Sequence, residues 1–216
     1  MISGIIFDLD GVIIDTKAIM VEAFTKSYVS ITGKNNPPVE KFLSMNGHCL
    51  KGILNELGLP EEMYGLFRKI SIEKSQEVTL LPGIKMLLEK MKNLKSRMYI
   101  LTGKEFDRTD QILTHLKIND YFDFVIGGDM LSKSKPDPEG ILRIATQFNH
   151  RPHQLISVGD APFDILASKN ANVRCIAAIW ADPCSEDQLR EYKPDFIATK
   201  PIQVLEIIDK INSRSA

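Results

Sequence analysis

Asp8 and Asp10 are the residues whose type and spacing most directly suggest chemistry. They close the stretch Ile5-Ile6-Phe7-Asp8-Leu9-Asp10-Gly11, in which a short apolar run reads as a buried strand with both acids at its exit. Carboxylates so close repel each other unless a cation or a proton intervenes. Gly11 lets the main chain turn sharply there. Paired acids at a strand exit suit a hard metal ion and acid–base chemistry, although an ordinary Asp-Gly turn uses the same residues.

Three further polar groups follow apolar runs. Met98–Leu101 leads into Thr102-Gly103-Lys104, where a hydroxyl and glycine amides can bind an oxyanion or simply start a helix. Ser134-Lys135-Pro136-Asp137-Pro138 stiffens the chain around one lysine, a rigid place for an ammonium facing an anion. Leu155–Val158 ends in Gly159-Asp160-Ala161-Pro162-Phe163-Asp164. With Pro162 opening a helix, Asp160 is expected to cap it and Asp164 to lie one turn inside, near the same point. Each motif alone has an ordinary structural reading; all of them on one edge of one sheet are harder to reach by chance. Asp8, Asp10, Asp160 and Asp164 less Lys135 leave a local charge of about −3. Like charges about 4 Å apart repel by roughly 4 kcal/mol at an effective dielectric near 20, so a phosphate could enter only with a divalent cation such as Mg2+.

The elements that must hold these residues follow from the pattern. Buried parallel strands are expected at Ile2–Phe7, Met98–Leu101, Phe124–Gly127, Leu155–Val158, Val173–Ile179 and Phe196–Ala198. Helical faces are expected at Ile84, Leu87, Leu88 and Met91, at Ile112, Leu113 and Leu116, and at Ile141, Leu142, Ala145 and Phe148. Alternating strands and helices give an α/β fold, a parallel sheet with helices on both faces. Between Asp15 and about Leu80 no strand is expected. Helical patterns at Ala18–Ser30, Cys49–Leu57 and Glu61–Gln76, broken at Gly33, Pro37, Pro38 and Pro60, read as a small inserted bundle. The implied division is a core of 1–14 and 81–216 with a helical cap of 15–80. Ligands of open parallel sheets bind beyond the carboxyl ends of the strands, so the insertion would sit over the site as a lid.

Composition narrows the class. The 216 residues carry a net charge of −1, which gives no basic field for nucleic acid or an anionic membrane. No apolar stretch is long enough to span a bilayer, and a signal peptide is not expected. Cys49, Cys175 and Cys184 are too widely spaced for a zinc or redox pattern, and a cytoplasmic location is the simplest expectation.

In order and placement these segments resemble the motifs of the haloacid dehalogenase superfamily, over nearly the whole chain. Asp8-Leu9-Asp10-Gly11-Val12 and Gly159-Asp160-Ala161-Pro162-Phe163-Asp164 are specific, Lys135 in Lys-Pro-Asp-Pro is strongly typical, and Thr102 is less so. The resemblance implies a Rossmann-like core with a helical cap of the phosphoglycolate-phosphatase and β-phosphoglucomutase branch. The last third, from Leu155 through Trp180 to Lys193-Pro194-Asp195, looks most like phosphoglycolate phosphatases and related pyrophosphatases. Carried over residue by residue, it makes Asp8 the nucleophile of an aspartyl-phosphate and Asp10 the general acid and then base. Thr102 and Lys135 hold the phosphoryl oxygens. Mg2+ is bound by Asp8, the Asp10 main-chain carbonyl and Asp160, with support from Asp164. Asp10 is the acid that the name-giving dehalogenases lack, which argues for phosphoryl transfer. The histidine that β-phosphoglucomutases carry shortly after their first motif is missing, and Met20 lies in that area.

Asn46-Gly47-His48 interrupts the helical pattern of the insertion and could form a specificity loop, with Gly47 and His48 on the substrate, or be a plain turn. Lys17 and Lys51 default to solvent and Trp180 to core packing. The expected activity is a Mg2+-dependent phosphatase acting on a small phosphorylated metabolite, as a monomer or homodimer. A phosphosugar mutase, an inorganic pyrophosphatase and a non-catalytic phosphometabolite binder are the alternatives; the last requires a damaged catalytic set, and every expected residue is intact.

Overall fold

The computed structural model describes residues 1–182 and 186–214. Cys184 lies outside the described residues.

The chain begins with β1 (Gly4–Phe7), followed by a two-residue strand, β2 (Ile14–Asp15). Four helices come next, α1 (Lys17–Thr32), α2 (Val39–Ser44), α3 (Leu50–Glu56) and α4 (Glu62–Glu73). The chain returns through β3 (Thr79–Leu80), which pairs antiparallel with β2. This ribbon corrects the expectation of no strand between Asp15 and Leu80. Two residues per strand carry no periodicity, and only their pairing defines them.

The remainder alternates as expected. It runs α5 (Ile84–Asn93), β4 (Arg97–Leu101), α6 (Phe106–His115), β5 (Phe124–Ile126), α7 (Glu139–Gln147), β6 (Leu155–Gly159), α8 (Pro162–Asn170), β7 (Arg174–Ala178), α9 (Glu186–Glu191), β8 (Phe196–Ala198) and α10 (Gln203–Ser213). The six long-range strands form one parallel sheet in the order β5-β4-β1-β6-β7-β8.

Strand alternation builds two core layers. Ile5 and Phe7 point into an apolar cluster with α5 and α10, whereas Ile6 points to the opposite face, with Ile141 and Ile144 of α7. Leu142 departs from the expected helical face and is 44% exposed. Ile141, Ile144 and Ala145 already make a stripe at i, i+3 and i+4, and Leu142 is rotated about 100° from the first of them. α1–α4 have a core of their own, in which Phe24 stacks on Phe42 with ring centroids 4.2 Å apart. Among the described residues no helix is long and apolar enough to cross a membrane.

This topology positions the chemistry. β1 lies between β4 and β6, with Phe7 in register with both Ile100 and Val158. Parallel neighbours lie about 4.8 Å apart, so the residues that leave these three strands emerge side by side. Asp8 comes directly after β1, Thr102 after β4, and Asp160 after β6.

Candidate active site

Asp8 sits where the sheet ladder ends, its N–H donating to the Val158 carbonyl at 2.9 Å. Its side chain is almost fully buried and meets Lys135 Nζ at 2.6 Å through Oδ1. Lys135 reaches in from the loop between β5 and α7, and the same ammonium donates to Asp164 Oδ1 at 2.5 Å. One oxygen from each of Asp8, Asp160 and Asp164 lies within 4.8 Å of the others.

The expectation that Asp160 caps α8 is corrected. The cap position is Ala161, and its N–H donates to Asp164 Oδ2 at 3.1 Å. Asp160 is thereby free to turn toward Asp8. Among the described residues its buried Oδ1 has no hydrogen-bond partner, while Oδ2 has only the amide of Asn46 at 3.4 Å. An orphaned carboxylate oxygen within a hard all-oxygen donor set fits a divalent cation. Gly11 is required for this arrangement. It has φ +75°, and a Cβ there would stand 1.9 Å from Asp160 Oδ2.

The charges are strained as they stand. Burial raises Asp8 to about 7, with Asp164 adding repulsion and Lys135 opposing both. Burial likewise raises Asp160 well above its usual value, reinforced by Asp8 and Asp164. Burial opposes the charge on Lys135, but Asp164 and Asp8 outweigh it and hold the lysine above its usual value. Several carboxylates share one ammonium, so a proton or a metal must supply the missing positive charge.

The Asp10 carboxylate faces away from this cluster. Oδ1 accepts from the Thr16 hydroxyl, and Oδ2 pairs with Lys104 Nζ at 3.1 Å. Asp8 and Asp10 share a cleft of about 40 Å³ with Thr102, Gly103, Lys104, Glu105 and Arg108, with Gly47 and His48 of the loop between α2 and α3, and with Phe67 of α4. Sequence reasoning left Thr16, Lys104, Glu105 and Arg108 without roles. Lys104 was visible next to Thr102-Gly103, but a lysine after a strand defaults to solvent, and nothing local announces its burial.

The inserted loop closes over the strand ends. A Cβ on Gly103 would meet the His48 carbonyl oxygen at 2.6 Å, and one on Gly47 would meet Asp164 Oδ2 at 3.5 Å. His48 is about half-buried, edge-on to Phe163 with centroids 5.3 Å apart. A hydrogen bond with Cys49 raises its pKa, and the same bond lowers the Cys49 thiol to about 7. Thr102 is buried, its hydroxyl accepting from the Lys104 N–H at 3.2 Å. Lys17 and Lys51 are largely exposed, paired with Asp182 at 2.8 Å and Glu61 at 3.9 Å. Trp180 is partly buried against the main core, its indole N–H donating to the Val12 carbonyl at 3.0 Å.

Comparison with known proteins agrees with this construction. The profile of the family described as "Haloacid dehalogenase-like hydrolase" matches residues 5–178. A Clostridium perfringens protein named "Putative pyrophosphatase PpaX" is 31% identical over 218 residues, covering 99% of this chain and 100% of that one. The phosphoglycolate phosphatase of Aquifex aeolicus is 27% identical over 208 residues, covering 95% and 96%. Among solved structures, a hydrolase from Pseudomonas syringae superposes with a TM-score of 0.84 at 20% identity, covering 97% of this chain and 99% of that chain, a likeness of fold. The haloacid dehalogenase-like family protein SP0104 of Streptococcus pneumoniae superposes with a TM-score of 0.82 at 28% identity, covering 96% and 98%. Members of this family with phosphatase activity generally use a divalent metal, which the acidic cluster suits. The chain therefore belongs to the haloacid dehalogenase-like hydrolases.

Proposed function

We propose that the protein is a Mg2+-dependent phosphatase that transfers the phosphoryl group of a small phosphomonoester to Asp8 and then to water. The observation that carries this reading is the cluster of Asp8, Asp160 and Asp164, with one Asp160 oxygen buried and without a partner among the described residues, and with Asp8 and Asp10 lining one cleft. Asp8, Asp160 and Asp164 would hold the ion, Asp10 adding its main-chain carbonyl by analogy with the family. When bound, the ion offsets the cluster's negative charge and polarises the phosphoryl oxygens.

The protein's own groups do the rest. Asp8 is the nucleophile, oriented by Lys135 at 2.6 Å, and the phosphoryl group forms a mixed anhydride with its carboxylate as the leaving oxygen departs. Asp10 gives that oxygen a proton and later takes one from the attacking water, while Thr16 and Lys104 fix its orientation. Thr102 and Lys135 stabilise the charge that grows on the phosphoryl oxygens. Gly47, Gly103 and His48, packed together at the mouth of the cleft, exclude water and touch the substrate.

Hydrolysis of pyrophosphate is the second reading, favoured by the names of several relatives. The mutase reading is disfavoured by the thioether of Met20 in the cleft, where a proton-transferring side chain would be needed. A phosphate-release screen over phosphorylated metabolites and pyrophosphate, run with MgCl2 and with excess chelator, tests the proposal. Release that requires magnesium supports it; release at an unchanged rate in chelator removes the metal from the account.

A further inference from the structure

A second charged group lies in the cleft, beyond Asp10. Arg108, in the first turn of α6, is only 6% exposed, yet its guanidinium lines the same cleft as Asp8 and Asp10. Among the described residues its side chain makes one hydrogen bond, from Nη1 to Glu105 Oε2 at 2.9 Å, out of the five N–H donors a guanidinium carries. Its guanidinium carbon lies over the Phe67 ring on α4, 6.0 Å from the ring centre. Glu105 does not balance Arg108 alone, because Arg68 Nε also approaches its Oε1 at 3.4 Å. Asp107, the other partner of Arg68, is largely exposed and therefore screened by water. Lys104, the remaining cation, is held by Asp10. Glu105 is thus approached by a second guanidinium, which Asp107 also pairs, and Phe42, Leu50 and Ile53 of the cleft offer no side-chain acceptor. A largely buried guanidinium that lines a cleft with most of its N–H donors unused is costly unless something accepts from them.

Building on the phosphatase reading, we infer that Arg108 is the specificity residue for the leaving group, and that this leaving group carries its own anion, a carboxylate or a further phosphate, which pairs with the guanidinium. A phosphorylated hydroxy acid offers those donors an anionic acceptor, and a neutral polyol phosphate does not. Glu105 and Phe67 act as positioning residues that hold the guanidinium in its fork-like presentation.

The test compares two probes of similar length that differ in the anion, 2-phosphoglycolate and 2-hydroxyethyl phosphate. Their binding is measured by calorimetry in MgCl2, in an Asp8→Asn background that prevents turnover. The chain with Arg108 should prefer 2-phosphoglycolate by roughly ten- to a hundredfold, the worth of one charge-assisted hydrogen bond. Arg108→Met should bring the two within about threefold, and Arg108→Lys should retain part of the preference. The ratio is taken within one sample, so a general loss of folded protein cancels. If Arg108→Met folds too poorly to titrate, the Arg108→Lys ratio decides. A preference unaffected by both variants, a preference for the neutral probe, or binding of neither probe overturns the inference. Phosphate release with Asp8 intact separates the two claims. A preference that disappears in Arg108→Met while no ester is ever hydrolysed leaves Arg108 as assigned and sinks the phosphatase reading. Hydrolysis with no preference between the probes does the reverse.

Discussion

Replacing Lys135 by Met should reveal the charge balance of the site most clearly. The Lys135 side chain is 5% exposed, and its ammonium lies 2.6 Å from Asp8 and 2.5 Å from Asp164, so little solvent can take its place. Removing one partner of such a buried pair costs about 3–5 kcal/mol. The size is reasonable from the geometry. The substitution leaves carboxylates whose oxygens lie within 4.8 Å of one another, and each like-charged pair at about 4 Å repels by roughly 4 kcal/mol at an effective dielectric near 20, until proton uptake relieves it. A divalent cation held by the same carboxylates, as proposed, would substitute for the lost charge. Urea unfolding at pH 7.5 should therefore show Lys135→Met destabilised by about 3–5 kcal/mol in EDTA and by clearly less in saturating MgCl2. By linkage, the variant should bind magnesium more tightly by the amount of stability recovered. A loss under about 1 kcal/mol in EDTA, or an equal loss with and without magnesium, would refute the reasoning that the lysine and the metal neutralise one cluster.

Other perturbations follow from the same geometry. Gly11→Ala places a Cβ at φ +75° and 1.9 Å from Asp160 Oδ2; it should cost about 1–2 kcal/mol of stability by backbone strain and weaken magnesium binding in titration, and wild-type affinity would contradict the assigned role of Asp160. The Asp8 pKa is raised by burial to about 7 from 3.8, so without metal the folded state holds a proton that the unfolded state has released. Metal-free stability should accordingly be greatest below about pH 4 as far as this group is concerned, and fall as pH rises toward 7 by up to about 1.4 kcal/mol per unit. Urea curves at pH 5 and 7.5 in EDTA measure this, and a rise over that interval traceable to Asp8 by comparison with Asp8→Asn would contradict it. Below pH 7 the same proton competes with magnesium, so the apparent affinity should drop by as much as about tenfold per unit, which calorimetry in buffers of different pH detects.

The sheet could be read in the sequence because its strands are short, mostly apolar runs. Ile5-Ile6-Phe7 and Leu155–Val158 have no competing interpretation once helices are seen between them. The approach of Asp8 to Asp160 could be read only at the level of strand ends; the detail depended on β1 lying next to β6, which no local pattern encodes. Helix α2 went unseen, because the six residues after Pro37-Pro38 are too few to display a period. Lys104, Glu105 and Arg108 were hidden for another reason. Their side chains belong by type on the surface, and they are buried because α3 and α4 of the insertion fold back over the start of α6, a tertiary event. Thr16, just before α1, gave no sign of bonding Asp10, since a threonine before a helix is ordinarily a cap.

The central claim is that Asp8 and Asp160 share one cation while Asp8 receives the phosphoryl group. The most direct measurement is a crystal structure grown with MgCl2 and beryllium trifluoride, a mimic of a phosphoryl group on a carboxylate. The account predicts beryllium bonded to an Asp8 oxygen and magnesium coordinated by both Asp8 and Asp160. Magnesium bound away from Asp160, or the fluoride adduct on any residue other than Asp8, would contradict it.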